Sequence, residues 1–169
     1  MTMIFSADRG WGIGRDNMLL FHASEDMKRF KELTKGKVVV MGYNTLLSLP
    51  GSKPLPDRVN IVLSRKSGLK IEGAHTCAGL DDLFEEIERY PEEDVFVIGG
   101  EQVYRQLMPY SGKAYVTKFD AEAQADRFME NLDDSHEWKL IETSDTFEDG
   151  GLEYTFNTYI HLEYGVALP

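Results

Sequence analysis

The chain has a single cysteine, Cys77, among its 169 residues, and it lacks any long apolar run. One cysteine excludes an internal disulfide, which fits a reducing cytoplasm. No stretch is apolar and long enough to span a membrane, and the first residues lack the apolar core of a signal peptide. We therefore expect a cytoplasmic protein without a membrane partner.

Positive charge is also scarce, because 18 lysines and arginines stand against 29 acidic residues and leave a net charge of −11. This balance argues against general nucleic-acid binding. The four histidines have no spacing typical of a metal site, so no metal is expected. The basic residues cluster at 28–37 and 58–70, where they could hold a small anionic ligand or simply form solvated faces.

Short apolar runs alternate with amphipathic segments over the first two thirds of the chain, which favours an α/β domain with a mostly parallel sheet. The predicted strands there are residues 3–7, 37–41, 58–63, 95–98 and a short one at 75–77, and the predicted helices are 24–34, 44–49, 80–89 and 102–108. Residues 114–118, 139–147 and 152–161 are predicted as further strands. The turn Glu148-Asp149-Gly150-Gly151 joins the last two in an antiparallel hairpin. One domain spanning residues 1–169 is expected.

Asp26 is a carboxylate on the apolar side of the first predicted helix. With Ser24 as N-cap, the helical period places Asp26, Phe30 and Leu33 on one stripe. A carboxylate there needs a partner, a shifted pKa or a ligand. An acid favoured only by the helix dipole remains the alternative. The opposite side, expected to face water, carries Glu25, Lys28, Arg29 and Glu32.

Three predicted strands end in residues suited to ligand binding. Residues 95–98 run into Gly99-Gly100, residues 37–41 into Gly42, and residues 58–63 into Ser64-Arg65-Lys66. Glycines between a strand and a helix let a phosphate approach backbone N–H groups, and open α/β sheets bind ligands beyond the carboxyl ends of their strands. The basic segment Ser64-Arg65-Lys66 suggests that the ligand is a phosphorylated nucleotide, with NADP as one candidate. The usual Gly-x-Gly-x-x-Gly pattern is absent.

Ordered motifs extend these signals over nearly the whole chain. They include Trp11-Gly12-Ile13-Gly14, Glu25-Asp26-Met27-Lys28-Arg29-Phe30, Val39-Val40-Met41-Gly42, Pro54-Leu55-Pro56-x-Arg58-x-Asn60, Val97-Ile98-Gly99-Gly100-x-x-Val103-Tyr104 and Tyr115-x-Thr117. In this order and spacing they closely resemble bacterial dihydrofolate reductases. The resemblance implies an α/β fold with a mixed, mostly parallel central sheet, flanking helices and a C-terminal antiparallel hairpin. It also implies an adenosine-binding subdomain at approximately 37–110 and a monomer.

The activity that the resemblance implies is NADPH-dependent reduction of 7,8-dihydrofolate to 5,6,7,8-tetrahydrofolate. A hydride goes to pterin C6 and a proton to N5, and the product supplies one-carbon metabolism. Antifolate inhibitors are implied as further ligands. Two alternatives stay open: another pteridine or pyrimidine reductase on the same fold, such as the riboflavin-pathway reductase domain, and a catalytically silent binding protein. Asp26 together with Arg58 favours a pterin that carries a glutamate tail over the first alternative.

The resemblance also implies roles for individual residues. Asp26 would anchor the pterin, Thr117 would support Asp26, and Leu19 and Phe21 would complete the catalytic group. Arg58 would bind the α-carboxylate of the glutamate tail. The implied substrate pocket is completed by Phe5, Met27, Phe30, Leu49, Leu55, Ile98 and Tyr104. The implied NADPH-binding residues are Ala7, Ile13, Gly14, Gly42, Tyr43, Asn44, Thr45, Leu63, Ser64, Arg65, Gly99, Gly100, Glu101, Gln102, Val103 and Tyr104.

Residues 8–23 match a mobile loop over the active site, and Asp126 matches a residue that holds the loop closed. The resemblance also implies that the Gly99–Gly100 peptide is cis. Several positions depart from the family pattern. Tyr43 stands where an arginine is usual, Phe21 where a tryptophan is common, and Leu20 and Ser24 where prolines are common.

Overall fold

A nine-stranded mixed sheet forms the centre of the molecule, and the computed structural model describes residues 1–164. The strands of this sheet are β1 (Thr2–Ala7), β3 (Val38–Gly42), β4 (Val59–Leu63), β5 (Ala74–Cys77), β6 (Val95–Gly99), β7 (Lys113–Phe119), β9 (Trp138–Thr143), β10 (Phe147–Asp149) and β11 (Leu152–His161). A separate small sheet pairs β2 (Gly12–Gly14) with β8 (Arg127–Phe128).

The strand order β5-β4-β3-β6-β1-β7-β11 places the first strand of the chain near the centre of the sheet. Strand β1 runs parallel to both β6 and β7, and β3 runs parallel to β4 and β6. Strand β11 is antiparallel to β7, and its other edge pairs with both β9 and β10. The predicted mixed, mostly parallel sheet with a C-terminal antiparallel hairpin is therefore confirmed.

Four helices cover the two faces of the sheet: α1 (Ser24–Thr34), α2 (Tyr43–Ser48), α3 (Leu80–Ile87) and α4 (Glu101–Leu107). Side chains alternate between the faces along each strand. Val39 and Met41 of β3 join the core on the side of α1 and α2, whereas Val38 and Val40 join the core on the side of α3 and α4. Within residues 1–164, no helix is long and apolar enough to cross a bilayer.

Most predicted elements are present with ends displaced by one or two residues, but the predicted strand 139–147 was wrong. It is divided into β9 and β10, because Ser144 bonds twice to the backbone of Phe156. The Ser144 N–H donates to the Phe156 carbonyl, and the Phe156 N–H donates to Ser144 Oγ, both at 2.8 Å. Strands β2 and β8 were not predicted, since two or three residues are too few to show an alternating pattern.

The predicted N-cap of α1 was also wrong. Ser24 is the first residue of the helix, and Ala23 occupies the N-cap position without a side-chain bond. The Ser24 N–H and hydroxyl instead donate to one carboxylate oxygen of Asp149, at 2.9 and 3.2 Å. A residue of the C-terminal hairpin thus satisfies a free N–H group at the start of α1.

Candidate active site

Asp26 lies in the first turn of α1 and reaches β7. The Thr117 hydroxyl donates a hydrogen bond of 2.6 Å to Asp26 Oδ1. Thr117 faces α1 because it shares its strand face with Tyr115, which packs against the core on that side. Burial raises the pKa of the Asp26 carboxyl, while the Thr117 hydrogen bond and the positive charge of Arg29 oppose the rise. The helix therefore holds a half-buried carboxylate with one oxygen already bonded.

The prediction that the Arg29 side chain faces water is wrong. It is half-buried, and its guanidinium carbon lies 4.5 Å from the centre of the Phe156 ring and 5.4 Å from that of Tyr115. A guanidinium over an aromatic face is attracted by the ring quadrupole. The helical period alone could not reveal this contact, because both rings come from strands more than eighty residues later in the chain.

Apolar side chains line the α1 side of the sheet close to this carboxylate. Leu49, Leu55 and Ile98 pack against the same core cluster. Phe30, one turn after Asp26 on α1, is half-buried, whereas Met27 is 48% exposed and lies at the rim. The structure thus brings four of the predicted pocket residues to one side of the sheet.

The resemblance implies Phe5 for the substrate pocket and Ala7 for NADPH binding, and the structure corrects the first of these two placements. Both side chains belong to the core cluster on the opposite face, beside α4. The Phe5 ring packs against Trp11 and Tyr104, with centroid distances of 6.5 and 5.4 Å. Phe5 therefore cannot form one wall with Phe30 across the α1 face of the sheet.

Strand alternation instead places Ile4 and Ser6 on the α1 face. Ile4 packs against the α1-side core, and Ser6 is the register partner of Thr117. Neither residue is among the site residues expected from the sequence. The alternation of side chains along β1 could have identified both residues, because residues 4 and 6 share one face of the strand. Aligning β1 with β7 then places Ser6 beside Thr117.

Tyr104, predicted for both ligand sites, is buried in the core on the α4 side of the sheet, beside Phe5. Its hydroxyl donates to the Ile4 carbonyl at 2.7 Å, so α4 is tied to the central strand. Burial raises the pKa of the Tyr104 phenol, which keeps the hydroxyl neutral and able to donate.

Arg58 lies at the end of α1, close to Thr34. Its Nε donates to the Pro56 carbonyl at 2.8 Å and its Nη1 to Thr34 Oγ1 at 3.2 Å. Burial lowers the pKa of the Arg58 guanidinium, although Asp57 opposes this effect. The buried amide of Asn60 bonds to both the N–H and the carbonyl of Leu55, each at 2.9 Å. Asn60 thereby fixes the segment between the apolar wall and Arg58.

Two glycine turns meet at the carboxyl ends of β3 and β6. A Cβ atom on Gly42 would lie 3.1 Å from Val103 Cγ2, and one on Gly99 would lie 3.1 Å from Thr45 Oγ1. Gly99 also has φ = +139°, which disfavours any side chain, and the Gly99–Gly100 peptide is cis. Backbone that carries no side chain at these turns fits a ligand whose phosphates lie against N–H groups.

The remaining residues predicted to bind the cofactor lie at the two glycine turns or around them. Tyr43 is half-buried in the α1-side core and offers no charge, whereas Arg65, after β4, is exposed. The Glu101 carboxylate accepts from the Phe128 N–H at 2.7 Å and is also paired with Arg105 at 3.5 Å, so it ties α4 to β8. Leu63 packs on the α3 side, Ser64 is half-buried, and Asn44 and Gln102 are exposed.

The predicted loop of residues 8–23 is fastened at its base by Asp8. This buried carboxylate accepts from the N–H groups of Gly10, Gly12 and Ala123, at 2.9, 2.8 and 3.2 Å. Asp126 adds a second attachment, because its N–H donates to the Gly14 carbonyl at 2.9 Å and its carboxylate accepts from the loop at 3.0 Å. The sequence did not single out Asp8, since its partners are backbone groups.

The tip of the loop is a tight turn in which Asp16 and Asn17 both have positive φ. The Asn17 amide donates to the Asn44 carbonyl at 2.9 Å, which brings the tip to the start of α2. Leu19 is 48% exposed beyond the turn. Ile13 is half-buried against the α4-side core, Gly14 is half-buried in β2, and the Phe21 ring packs 4.7 Å from that of Phe119.

Comparisons with known proteins agree with this geometry. A family model described as dihydrofolate reductase matches residues 1–161. The dihydrofolate reductase of Bacillus subtilis is 35% identical over 156 residues, which cover 92% of this chain and 90% of the relative. That of Mycobacterium leprae is 39% identical over 151 residues, which cover 87% and 89%.

A solved structure of dihydrofolate reductase from Enterococcus faecalis, complexed with NADP(H) and RAB-propyl, superposes with a TM-score of 0.84. It is 28% identical in sequence, and the match covers 95% of each chain. The carboxylate on α1, the facing glycine turns and these similarities agree, and the chain therefore belongs to the dihydrofolate reductase family of NADPH-dependent oxidoreductases.

Proposed function

We propose that this site reduces 7,8-dihydrofolate to 5,6,7,8-tetrahydrofolate with NADPH, a product that serves one-carbon metabolism. The observation that carries the proposal is the Asp26 carboxylate, half-buried and bonded to Thr117 on the apolar side of the sheet that faces α1. A hydride is added to C6 of the pterin and a proton to N5.

Asp26 anchors the pterin. Thr117 occupies one side of Oδ1, which leaves the other acceptor positions of the carboxylate for the 2-amino group and N3 of the ring. The negative charge favours a protonated substrate electrostatically. Asp26 does not touch N5, so a water delivers the proton there.

Arg58 binds the α-carboxylate of the glutamate tail. Its Nε and Nη1 are held by Pro56 and Thr34, which orients the planar guanidinium and lets its remaining N–H groups meet a carboxylate. Phe30, Leu49 and the other apolar residues between Asp26 and Arg58 enclose the rings of the substrate. Antifolates that present an amino-substituted ring bind Asp26 in the same way.

NADPH would be held at the glycine turns and would supply the hydride for the reduction. The turns at Gly42–Thr45 and Gly99–Val103 would hold the pyrophosphate, and Ser64 and Arg65 would select the 2′-phosphate. The loop of residues 8–23 would cover the site and exclude water, and Ile13, Gly14 and Leu19 would contribute to the nicotinamide site. Residues of approximately 37–110 form the adenosine-binding subdomain, and the protein acts as a monomer.

The decisive test is to mix the protein with dihydrofolate and NADPH and to follow the nicotinamide absorbance. We expect the absorbance to fall as tetrahydrofolate forms. Protein that binds both ligands without this change would be catalytically silent, and the proposal would be wrong. A pyrimidine substrate turned over in place of dihydrofolate would identify a different reductase on the same fold.

Asp26→Asn keeps the size of the side chain and removes its charge. We expect kcat/KM at neutral pH to fall by about a hundredfold or more, because the charge that favours the protonated substrate is lost. Activity recovers partly in acid, where the substrate is protonated in solution. A pH–rate profile measures both effects, and unchanged turnover would remove Asp26 from the mechanism.

Arg65→Ala tests the site of the 2′-phosphate. We expect the Kd of NADPH to rise by about tenfold or more while that of NADH changes little, since only NADPH carries the phosphate. Arg105→Ala is the matched control, because Arg105 is exposed on α4 and pairs with Glu101. An equal loss for both nucleotides would place the 2′-phosphate elsewhere.

A further inference from the structure

Arg29 brings a cation close to the proposed substrate anchor. It follows Asp26 by three residues on α1, so the two side chains lie on neighbouring parts of the same helix face. Its guanidinium rests over the rings of Phe156 and Tyr115, at 4.5 and 5.4 Å. Within residues 1–164, Arg29 takes part in no ion pair. Its charge is therefore held by aromatic faces and is not cancelled by a carboxylate.

The same two strands hold both Arg29 and Asp26. Phe156 of β11 is the register partner of Thr117 of β7, and Thr117 donates the hydrogen bond to Asp26. Tyr115 precedes Thr117 by two residues and lies on the same strand face. The first two turns of α1 therefore rest on β7 and β11 at two points, a hydrogen bond and a cation–aromatic contact.

Acidic groups lie near the start of α1, the helix that carries Asp26. Asp149 binds Ser24 at the start of the helix. Burial raises the pKa of Tyr154, and the negative charges of Asp149, Asp26 and Glu25 raise it further. The charged and titratable groups of this region are Arg29 of α1, which acts on Asp26 and rests over Tyr115 of β7, and Glu25 of α1 and Asp149 of the hairpin, which act together with Asp26 on Tyr154 of β11.

We infer that Arg29 is a positioning residue for the reaction: stacked on Phe156 and Tyr115, it holds an uncancelled positive charge that keeps Asp26 ionised inside a half-buried site. This role rests on the proposed function of Asp26 as an anionic anchor. An ion pair with a carboxylate would cancel the charge, and an exposed cation would be screened by water. The aromatic rings avoid both outcomes.

The test measures the ionisation of Asp26 in the ligand-free protein, by NMR titration of its labelled carboxyl carbon. Arg29→Gln removes the charge, and Arg29→Lys keeps a cation on a flexible chain. Lys28→Gln is the matched control, because it removes the same charge from the exposed side of the same helix. Phe156→Leu keeps Arg29 and removes the nearest ring.

We expect the pKa of Asp26 to rise in Arg29→Gln, to return most of the way in Arg29→Lys, and to stay at its wild-type value in Lys28→Gln. In Phe156→Leu it should rise less than in Arg29→Gln, since the released cation moves into water. An unchanged pKa in Arg29→Gln would overturn the inference. Equal rises in Arg29→Gln and Arg29→Lys would also overturn it, because packing would then matter and charge would not.

The titration needs neither substrate nor cofactor, so its outcome is separate from that of the turnover assay. Wild-type protein without turnover would contradict the proposed function while the carboxyl titration still reported on Arg29. Should Arg29→Gln fail to fold, Phe156→Leu together with Arg29→Lys still decides between charge and packing.

Discussion

At the scale of single residues, the site depends on side chains whose partners are distant in the sequence. Thr117 bonds to Asp26 across 91 residues, and Tyr104 bonds to Ile4 across 100. Each bond satisfies a polar group that folding removes from water, and an unsatisfied group would be costly. Asp26 is the exception, because burial raises its pKa and part of its hydrogen-bonding capacity is left for a ligand.

This exception predicts that Asp26 lowers the stability of the free protein. Because its folded-state pKa is raised, the protonated form contributes stability that is fully present below the unfolded-state pKa and is lost as pH rises through the folded-state pKa. At neutral pH the ionised carboxylate is therefore unfavourable. We expect Asp26→Asn to unfold at a higher denaturant concentration than wild type at neutral pH, although it is less active.

Chemical denaturation at several pH values measures the difference. The advantage of Asp26→Asn should shrink as the solution becomes acidic, because wild-type Asp26 is then protonated too. An Asp26→Asn protein that is less stable than wild type at neutral pH would show that the ionised carboxylate is well satisfied without a ligand.

At the scale of elements, the position of α1 depends on contacts with several other parts of the fold. Its start is bonded to Asp149 of the hairpin between β10 and β11, its first turn to Thr117, and its last residue, Thr34, to Arg58. Residues from the second half of the chain therefore fix the first turn of the helix that carries the anchor, and Arg58 contacts its last residue. The sequence signal for α1 was strong, but it contained no information about these contacts.

The bond between Ser24 and Asp149 predicts a stabilising contact across the fold. We expect Asp149→Ala to lower the free energy of unfolding by about 0.5–2 kcal/mol, the range for loss of a helix cap, because the Ser24 N–H loses its acceptor. Asp149→Asn should retain most of the stability, since its side-chain oxygen can still accept. Glu148→Ala, which changes the preceding carboxylate of the same hairpin, is the control for charge. Equal losses in Asp149→Ala and Glu148→Ala would assign the effect to the hairpin and not to the helix.

At the scale of the whole molecule, stability comes from two core layers on either side of one sheet. Leu107 of α4 is fully buried in the layer beside α3 and α4, whereas Leu140 of β9 is 42% exposed at the sheet edge. The same residue type thus occupies a core position and a surface position. Replacing each leucine in turn therefore separates the effect of burial on stability from the effect of residue type.

Leu107→Ala and Leu140→Ala form a matched pair. We expect Leu107→Ala to lower the free energy of unfolding by about 2–5 kcal/mol, because it loses buried apolar area and leaves a cavity. Leu140→Ala should change the free energy by about 0.5 kcal/mol or less. Urea titration of both variants measures the values, and similar losses would mean that β9 is covered by a partner in solution.

The sequence by itself determined the element types, the mostly parallel sheet, the hairpin turn and the family. Hydrophobic periods, glycine turns and ordered motifs are local features, so they can be read from the chain without its fold. The same features singled out Asp26 on α1 and the glycines at the ends of the strands, whereas Thr117 followed only from the resemblance to the family. They could not give the face of a short strand, and the assignment of Phe5 in place of Ile4 and Ser6 was therefore wrong.

Only the tertiary structure decided which side chains meet. The burial of Arg29 depends on rings from β7 and β11, the acceptor for Ser24 comes from the hairpin, and Asp8 holds its loop through backbone groups. Each contact joins segments that strand order brings together. The physical reason is that the periodic spacing of residues fixes the side of a helix or strand on which each side chain lies. The partner, burial and pKa of that side chain depend on what the rest of the chain packs against it.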